Sequence, residues 1–317
     1  SDIYGGSILN ATIDLYAYAS IIPSNSGKIV LNSLDQDQKV VFDSVDTLEI
    51  NGTLDLLKGV YNRIIKDYTR KPLSFELQTS VDAPPGSGLG SSSTLVVAIL
   101  GAFVEWLKLP LGDYDIANLA YEIERNDLEF SGGKQDQYAA TFGGFNFMEF
   151  YSDNKVIVNP LRIAESYKSE LEFNFVLYFM GTSRLSSAII DDQVKNVHAN
   201  KSTPIEAMHK LKKQAKQMKE SLLIGNLGVI GSILDSGWEY KKKMSNRIAN
   251  IEIDKVYKEA RRLGATGGKV SGAGGGGFMI LYCPGNRLGV INGLSKLNGK
   301  VKSISFTEKG LFTWTIS

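Results

Sequence analysis

Three stretches in the first 80 residues of this chain alternate between apolar and polar positions, which is the pattern of strands that are buried on one face. The alternation predicts strands within residues 8–22, within residues 28–49 and over residues 73–79. A Pro-Ser-Asn-Ser-Gly segment at residues 23–27 predicts the loop between the first two stretches. Residues 54–68 instead place apolar residues three or four positions apart, and this spacing predicts a helix.

Helical spacing is more frequent in the rest of the chain. It predicts helices over residues 94–107, 114–126, 205–222, 227–238 and 253–260. Strands are predicted at residues 143–150, 173–180 and 278–282, and a hairpin over residues 301–316 with its turn at 308–310. These strands and helices do not alternate regularly, as they would in a doubly wound parallel sheet. The predicted fold class is therefore α+β.

The length of the chain indicates how many lobes it forms, and its net charge indicates which classes of partner to expect. A chain of 317 residues is too long for one small core and predicts two lobes, which we divide into residues 1–160 and 161–317. The net charge of +1 gives no general attraction to nucleic acid or to an anionic membrane, and no apolar run has the length of a membrane span. We therefore predict neither partner, and no oligomeric state is predicted.

Cysteine and histidine are scarce in this sequence. The single cysteine, Cys283, excludes an internal disulfide and fits a reducing compartment, so a cytoplasmic location is predicted. His198 and His209 are the only histidines, and they form no zinc signature. Catalysis is therefore not expected to depend on histidine.

A glycine- and serine-rich run, Pro-Pro-Gly-Ser-Gly-Leu-Gly-Ser-Ser-Ser, occupies residues 84–93 just before an apolar helical segment. Glycines let backbone N–H groups turn inward and a helix start adds partial positive charge, so the run predicts a phosphate cradle. It is neither a Walker loop nor a dinucleotide fingerprint. A flexible, serine-capped helix start is the alternative interpretation. The predicted nucleotide-binding residues are Pro85, Gly86, Ser87, Gly88, Leu89, Gly90, Ser91 and Ser92.

Two further segments have residues suited to phosphoryl transfer. Asp136 follows a glycine pair at residues 132–133, and its carboxylate could accept or orient the proton of an attacking hydroxyl, although it could also cap a helix. Residues 269–277 contain five glycines before a strand, which predicts close backbone approach to phosphate or substrate rather than a long flexible loop. The residues predicted there are Gly272, Ala273, Gly274 and Gly275.

Basic residues at two places could bind an anionic substrate. Arg184 follows a buried strand and could bind a sugar hydroxyl or an anionic group with its planar fork, or form a surface salt bridge. Lys241, Lys242 and Lys243 end a predicted helix before the second glycine-rich segment. They could attract a phosphorylated substrate, or simply form a solvated helix end.

The three segments at residues 84–93, 132–137 and 269–277 resemble, in this order, the motifs of the GHMP kinases. The resemblance covers most of the chain and implies a two-lobed fold with the nucleotide loop in the N-terminal lobe, the third motif in the C-terminal lobe and the active site between them. It also implies ATP as phosphate donor and Asp136 as the catalytic residue. The family's first motif should precede residue 8, so we expect the first strand to be missing.

The same resemblance implies Mg²⁺ held by Ser91 and Glu124. Glu124 lies twelve residues before Asp136, an offset similar to that of the family's metal-binding glutamate. Glu122 is a near competitor on another side of the predicted helix, and Asp127 and Glu129 are later alternatives.

Within the family, the sequence looks closest to sugar kinases of the heptose-phosphate type. The resemblance lies in Gly-Lys-Gln-Asp-Gln at residues 133–137, the Gly-Thr-Ser-Arg turn at residues 181–184, the Trp-to-lysine helix at residues 238–243 and the glycines from residue 267. Met180 departs from it, because threonine is expected there. The implied reaction is ATP-dependent phosphorylation of the anomeric hydroxyl of D-glycero-D-manno-heptose 7-phosphate. A fucose or galactose kinase, or a sensor that binds nucleotide and sugar without turnover, remains the alternative.

Overall fold

A computed structural model describes residues 5–151, 153–181, 186–199 and 202–316 of the chain. The chain forms two compact units. Unit 1 consists of Ser1–Asp14, Pro85–Leu89 and Gly144–Glu308, and unit 2 of Leu15–Pro84, Gly90–Gly143 and Lys309–Ser317. The single division expected at residue 160 falls inside unit 1, because each unit is built from three separate stretches of sequence.

The elements mix strands and helices, and the predicted α+β class is confirmed. The strands are β1 (Ser7–Ala11), β2 (Ala17–Pro23), β3 (Lys28–Ser33), β4 (Gln38–Asp43), β5 (Phe75–Val81), β6 (Phe145–Phe150), β7 (Val156–Pro160), β8 (Phe175–Phe179), β9 (Gly267–Val270), β10 (Phe278–Tyr282) and β11 (Lys300–Lys302). The helices are α1 (Asp55–Ile64), α2 (Ser91–Leu107), α3 (Asp113–Glu122), α4 (Gln135–Phe142), α5 (Glu165–Asn174), α6 (Ser186–His198), α7 (Ser202–Leu223), α8 (Ile230–Lys242), α9 (Ile251–Leu263) and α10 (Arg287–Leu294). Turns of π-helix follow α1 (Ile65–Thr69) and α3 (Ile123–Asp127), and a 3₁₀ turn (Leu227–Val229) precedes α8.

Unit 2 packs α1–α4 against a four-stranded sheet with the order β2-β5-β3-β4. Strand β3 pairs with β5 in parallel and with β4 in the antiparallel direction. Ile29 and Leu31, two positions apart on β3, are fully buried, so the alternation in the sequence follows the buried face of the sheet. The core continues into α2 through Val96, Leu100 and Phe103, which explains why this helix is so apolar.

Unit 1 contains two antiparallel sheets. One has the strand order β1-β6-β7 and the other the order β11-β8-β10-β9. The core beside the second sheet includes Trp238 of α8 and Val256 of α9, together with Val270 of β9. In the described part of the chain, no helix is long and apolar enough to span a membrane.

The predicted hairpin over residues 301–316 is wrong. Only β11 forms a strand there, and residues 309–316 belong to unit 2. In unit 2, Leu311 packs on Gly101 of α2, while Thr313 and Thr315 donate hydrogen bonds to the Glu105 carboxylate. The alternation in this segment therefore reflects packing on a helix rather than pairing with a strand.

The strand predicted at residues 173–180 is shorter in the structure. It begins at Phe175, because residues 165–174 form α5. This helix has few apolar residues and gives no clear periodic signal, so the sequence did not predict it. The predicted helices at residues 205–222 and 253–260 are present as α7 and α9.

Strand β9 lies directly on the start of α8 at a contact between two glycines. A Cβ atom on Gly267 would lie 1.8 Å from the carbonyl oxygen of Gly231. We expect Gly267→Ala to lower the free energy of unfolding by about 3 kcal/mol, because the helix and the strand would have to separate. Gly228→Ala is the matched control, since a Cβ there meets nothing within 4 Å. Equal urea midpoints for Gly267→Ala and the wild type would contradict the contact.

Candidate active site

Within unit 1, the loop Pro85–Leu89 is bound to the second glycine-rich segment by hydrogen bonds and close backbone contacts. The carbonyl oxygen of Ser87 accepts a hydrogen bond from Phe278 N at 2.9 Å, and that of Gly88 accepts one from Ser271 Oγ at 2.8 Å. A Cβ on Gly272 would lie 2.7 Å from Cα of Gly88, and both glycines have positive φ. Side chains are excluded at these two positions, so part of the glycine content serves the contact between the loops.

The side chains of this loop differ in their surroundings. Ser87 is fully buried, and its hydroxyl accepts a hydrogen bond from Leu89 N at 3.4 Å. Pro85 is exposed, and Gly86, Gly88 and Leu89 are half-buried. The Ser87 side chain therefore lies within the loop, while the backbone of the glycines remains in part accessible.

In unit 2, Gly90 adopts a left-handed conformation and α2 begins at Ser91. The helix was predicted to begin near residue 94, because its first turn is polar and gives no apolar signal. Thr94 donates from both its backbone N and Oγ1 to the carbonyl oxygen of Gly90, each at 2.9 Å. The N–H groups of the first helical turn precede any intrahelical acceptor, which makes this helix end suitable for an anion. Of its serines, Ser91 is half-buried, Ser92 exposed and Ser93 buried.

Asp136 lies in the first turn of α4, with its carboxyl group against the start of α2. A Cβ atom on Gly90 would lie 3.0 Å from Cγ and 3.2 Å from Oδ1 of Asp136. Lys134 holds the N-cap position of α4, so Asp136 is not the N-cap residue. Unit 2 thus brings together Gly90 of the predicted phosphate cradle and the predicted catalytic carboxylate.

Glu124 lies in the π-helical turn that follows α3 and is only 1% exposed. Its carboxylate accepts a hydrogen bond from Nε2 of Gln137, which also donates to Ser93 Oγ at 3.1 Å. This buried chain of polar groups connects α2, α4 and the turn. Gln137 belongs to the motif at residues 133–137. Its contact with Glu124 depends on tertiary packing, so the sequence pattern did not predict it.

Arg125 connects the same turn to the glycine pair before Asp136. Its guanidinium lies where a Cβ on Gly132 would be, within 2.5 Å, and its Nε donates to the carbonyl oxygen of Gly133 at 3.3 Å. Its Nη1 also lies 3.7 Å from a carboxylate oxygen of Glu124. Arg125 therefore supports both Glu124 and the segment that leads to Asp136. The sequence alone did not identify Arg125 as a site residue.

The other acidic candidates near Glu124 have different surroundings. Arg63 forms salt bridges with both Glu122 and Asp127, the second at 3.3 Å. Glu129 lies just beyond the π-helical turn and has a positive φ of 57°. Of these four residues, Glu124 is the buried carboxylate that is linked to the α4 motif.

Oxygen donors around Glu124 fit a Mg²⁺ ion. Oε1 of Gln137 is a buried oxygen without a hydrogen-bond partner among the described residues, and the Glu124 carboxylate lies beside the same amide. The described residues contain no group of three or more His, Cys, Asp or Glu side chains that could hold a metal. Mg²⁺ is commonly bound by one or two carboxylates together with water and substrate phosphates, so this donor set suits it.

The remaining predicted residues lie in the second glycine-rich segment, in unit 1. The carbonyl oxygen of Gly272 accepts a hydrogen bond from Lys241 Nζ. That of Ala273 accepts one from Gln193 Nε2 at 3.4 Å. Gly275 N donates to the carbonyl oxygen of Ile248 at 2.9 Å, and Gly274 packs on the same residue. Arg184 lies outside the described residues.

Comparison with known proteins agrees with the motifs. Residues 55–144 match the GHMP kinases N terminal domain, and residues 218–296 match the GHMP kinases C terminal domain. D-glycero-alpha-D-manno-heptose 7-phosphate kinase of Campylobacter jejuni is 49% identical over 316 residues, which are 99% of this chain and 93% of that protein. A D-glycero-D-manno-heptose 1-phosphate kinase from Bacteroides thetaiotaomicron has a TM-score of 0.84 at 48% identity, covering 100% of this chain and 92% of that one. Mevalonate kinase of Methanococcus jannaschii shares the fold, with a TM-score of 0.78 at 20% identity over 96% of this chain and 92% of that one.

Proposed function

This chain belongs to the GHMP kinase family, and on that basis we propose that it phosphorylates the anomeric hydroxyl of D-glycero-D-manno-heptose 7-phosphate. ATP is the phosphate donor, and the products are ADP and the 1,7-bisphosphate. The name of the Campylobacter jejuni relative supports the sugar, since the two sequences align over nearly their whole length. We propose a cytoplasmic location, since a single cysteine fits a reducing compartment.

The observation that carries the proposal is the contact between Asp136 and Gly90. It joins a carboxylate to the N-terminal end of α2, a place suited to phosphate. Phosphoryl transfer depends mainly on positioning and on electrostatic stabilisation of the transferred group. A proton acceptor beside a phosphate cradle meets both needs.

In the proposed reaction, Asp136 accepts or orients the proton of the anomeric hydroxyl while that oxygen attacks the γ-phosphorus. The new P–O bond forms as the bond to the bridging oxygen of ADP breaks. The loop at residues 85–90 and the first turn of α2 bind the phosphates of ATP through backbone N–H groups. Residues 272–275 approach the substrate with their backbone.

Ser91 and Glu124 would hold Mg²⁺, which when bound neutralises charge on the phosphates. Gln137 fixes the Glu124 carboxylate from one side, and Arg125 lies on the other. Both are positioning residues, because they act on the carboxylate rather than on the substrate.

The experiment that tests the function is release of ADP with Mg-ATP and a panel of acceptors. The panel contains heptose 7-phosphate, the same heptose without phosphate, fucose, galactose and mevalonate. Turnover with the highest kcat/KM for heptose 7-phosphate supports the proposal. A higher kcat/KM for another acceptor would replace the substrate but keep the kinase, and ATP binding without ADP release from any acceptor would favour a sensor.

A further inference from the structure

Lys241 differs from the two lysines that follow it. Lys242 forms a salt bridge with Glu239 at 2.7 Å, and the Lys243 ammonium lies 5.5 Å from the ring centre of Tyr240. Lys241 Nζ instead donates to the carbonyl oxygen of Gly272 in the second glycine-rich segment. The alternative of a solvated helix end therefore fits Lys242 and Lys243, whereas Lys241 is directed to the predicted site.

Lys269 lies on the same side of the sheet as the contact with α8. Gly267 packs on Gly231 at the start of this helix, and Lys269, two residues later, shares that face of β9. From Gly231 to Lys241 the helix rises about 15 Å, and Lys241 reaches the carbonyl oxygen of Gly272, two residues after β9 ends. Helix and strand therefore run side by side and bring the lysines to the same end.

These two cations have no counter-charge in the described part of the chain, where neither forms an ion pair. Burial and, to a smaller extent, the charge of Lys269 together lower the pKa of Lys241 to about 7. Burial also lowers the pKa of Lys269. Placing two like charges together at half-buried positions is unfavourable, and a bound anion would reverse this.

We propose that Lys241 and Lys269 form the subsite that binds the phosphate group of the sugar substrate. The inference rests on the proposed function and adds residues that recognise the substrate at its phosphorylated end. Two compact ammonium groups suit a phosphate dianion, and the Gly272 carbonyl orients one of them. The phosphates of ATP have their own predicted donors in the loop and at the start of α2, whereas the sugar phosphate needs separate cations.

Steady-state kinetics of Lys241→Gln and Lys269→Gln test the subsite. We expect each change to raise KM for heptose 7-phosphate about 10- to 100-fold, the loss typical of a hydrogen bond to a charged group, and to leave KM for ATP nearly unchanged. The preference for the phosphorylated over the unphosphorylated heptose should fall by the same factor. Lys243→Gln is the matched control and should behave as the wild type. Lys241→Met and Lys269→Met serve as second variants if a glutamine variant loses thermal stability.

A pH profile gives a second readout of the same proposal. Bound phosphate raises the pKa of Lys241, so binding is favoured where the lysine is charged, and kcat/KM for the sugar phosphate should fall as the pH rises through about 7. Among the described residues, the charged side chain acting on Lys241 is that of Lys269. This fall near pH 7 should be absent in Lys241→Met.

The possible results of these experiments distinguish a failure of the proposed phosphate subsite from a failure of the proposed function. If heptose 7-phosphate is turned over and its KM is unchanged in both variants, the subsite is wrong and the function stands. If KM rises only for ATP, the lysines serve the nucleotide and the proposal is overturned. If another sugar phosphate proves to be the substrate, its comparison with the free sugar supplies the same test. If no acceptor releases ADP, calorimetric titration of inorganic phosphate decides, since binding lost in both variants supports the subsite and unchanged binding overturns it.

Discussion

Asp136→Asn is expected to lower kcat about 100- to 10,000-fold, because the amide cannot accept the proton of the attacking hydroxyl. Asparagine has nearly the same shape, so the first turn of α4 and the contact with Gly90 should persist. KM for ATP should therefore change little, which is the signature of an interaction made mainly in the transition state. Single-turnover formation of ADP with saturating acceptor measures the effect on the chemical step.

Asp127→Asn is the matched control for this prediction. Asp127 belongs to the same unit and forms a salt bridge with Arg63 at 3.3 Å, so its loss should leave kcat close to that of the wild type. Full activity in Asp136→Asn, with a melting temperature equal to that of the wild type, would remove the aspartate from the mechanism.

Glu124→Gln is expected to raise the Mg²⁺ concentration for half-maximal activity about 100-fold or more, because even indirect supports of a metal site commonly contribute 10- to 100-fold in affinity. The amide oxygen of the new glutamine can still accept the hydrogen bond from Gln137, so the buried chain to Ser93 is retained in part. Binding of Mn²⁺ in the presence of ATP, followed by electron paramagnetic resonance, measures the same loss without turnover.

Glu122→Gln provides the comparison within the same helical segment. The Glu122 carboxylate is 37% exposed and pairs with Arg63, so its removal should leave the binding of Mn²⁺ unchanged. If this variant loses the cation and Glu124→Gln keeps it, the assignment of the two glutamates has to be exchanged.

Local patterns in the sequence predicted much of the fold. The alternation of Ile29 and Leu31 in β3 and the helical spacing in α7 and α9 were sufficient, because each element buries one regular face. The polar helix α5 and the serine-rich first turn of α2 were missed, since neither presents apolar periodicity. The tail after residue 308 was misinterpreted because packing on a helix imitates the alternation of a strand.

Sequence patterns predicted only part of the candidate site. The motifs located Asp136 and the glycine-rich loop, and the resemblance to the family favoured Glu124 over Glu122. The connection of Glu124 to Gln137 and Ser93 could not be predicted, since it joins three elements that meet only after folding. In the same way, three consecutive lysines are equivalent in sequence, and only the direction of α8 separates Lys241 from its neighbours.

Leu311, which lies far along the chain from the sheet and helices of unit 2, packs on Gly101 of α2. A ribosome delivers the chain from its N-terminus, and domains usually fold as units while synthesis proceeds. Here the sheet β2–β5 and helices α1–α4 are all synthesised before residue 144, yet Leu311 arrives more than 160 residues later. The nascent unit must therefore wait with this side of α2 uncovered, and a premature stop codon before residue 309 would leave that side uncovered in the finished protein.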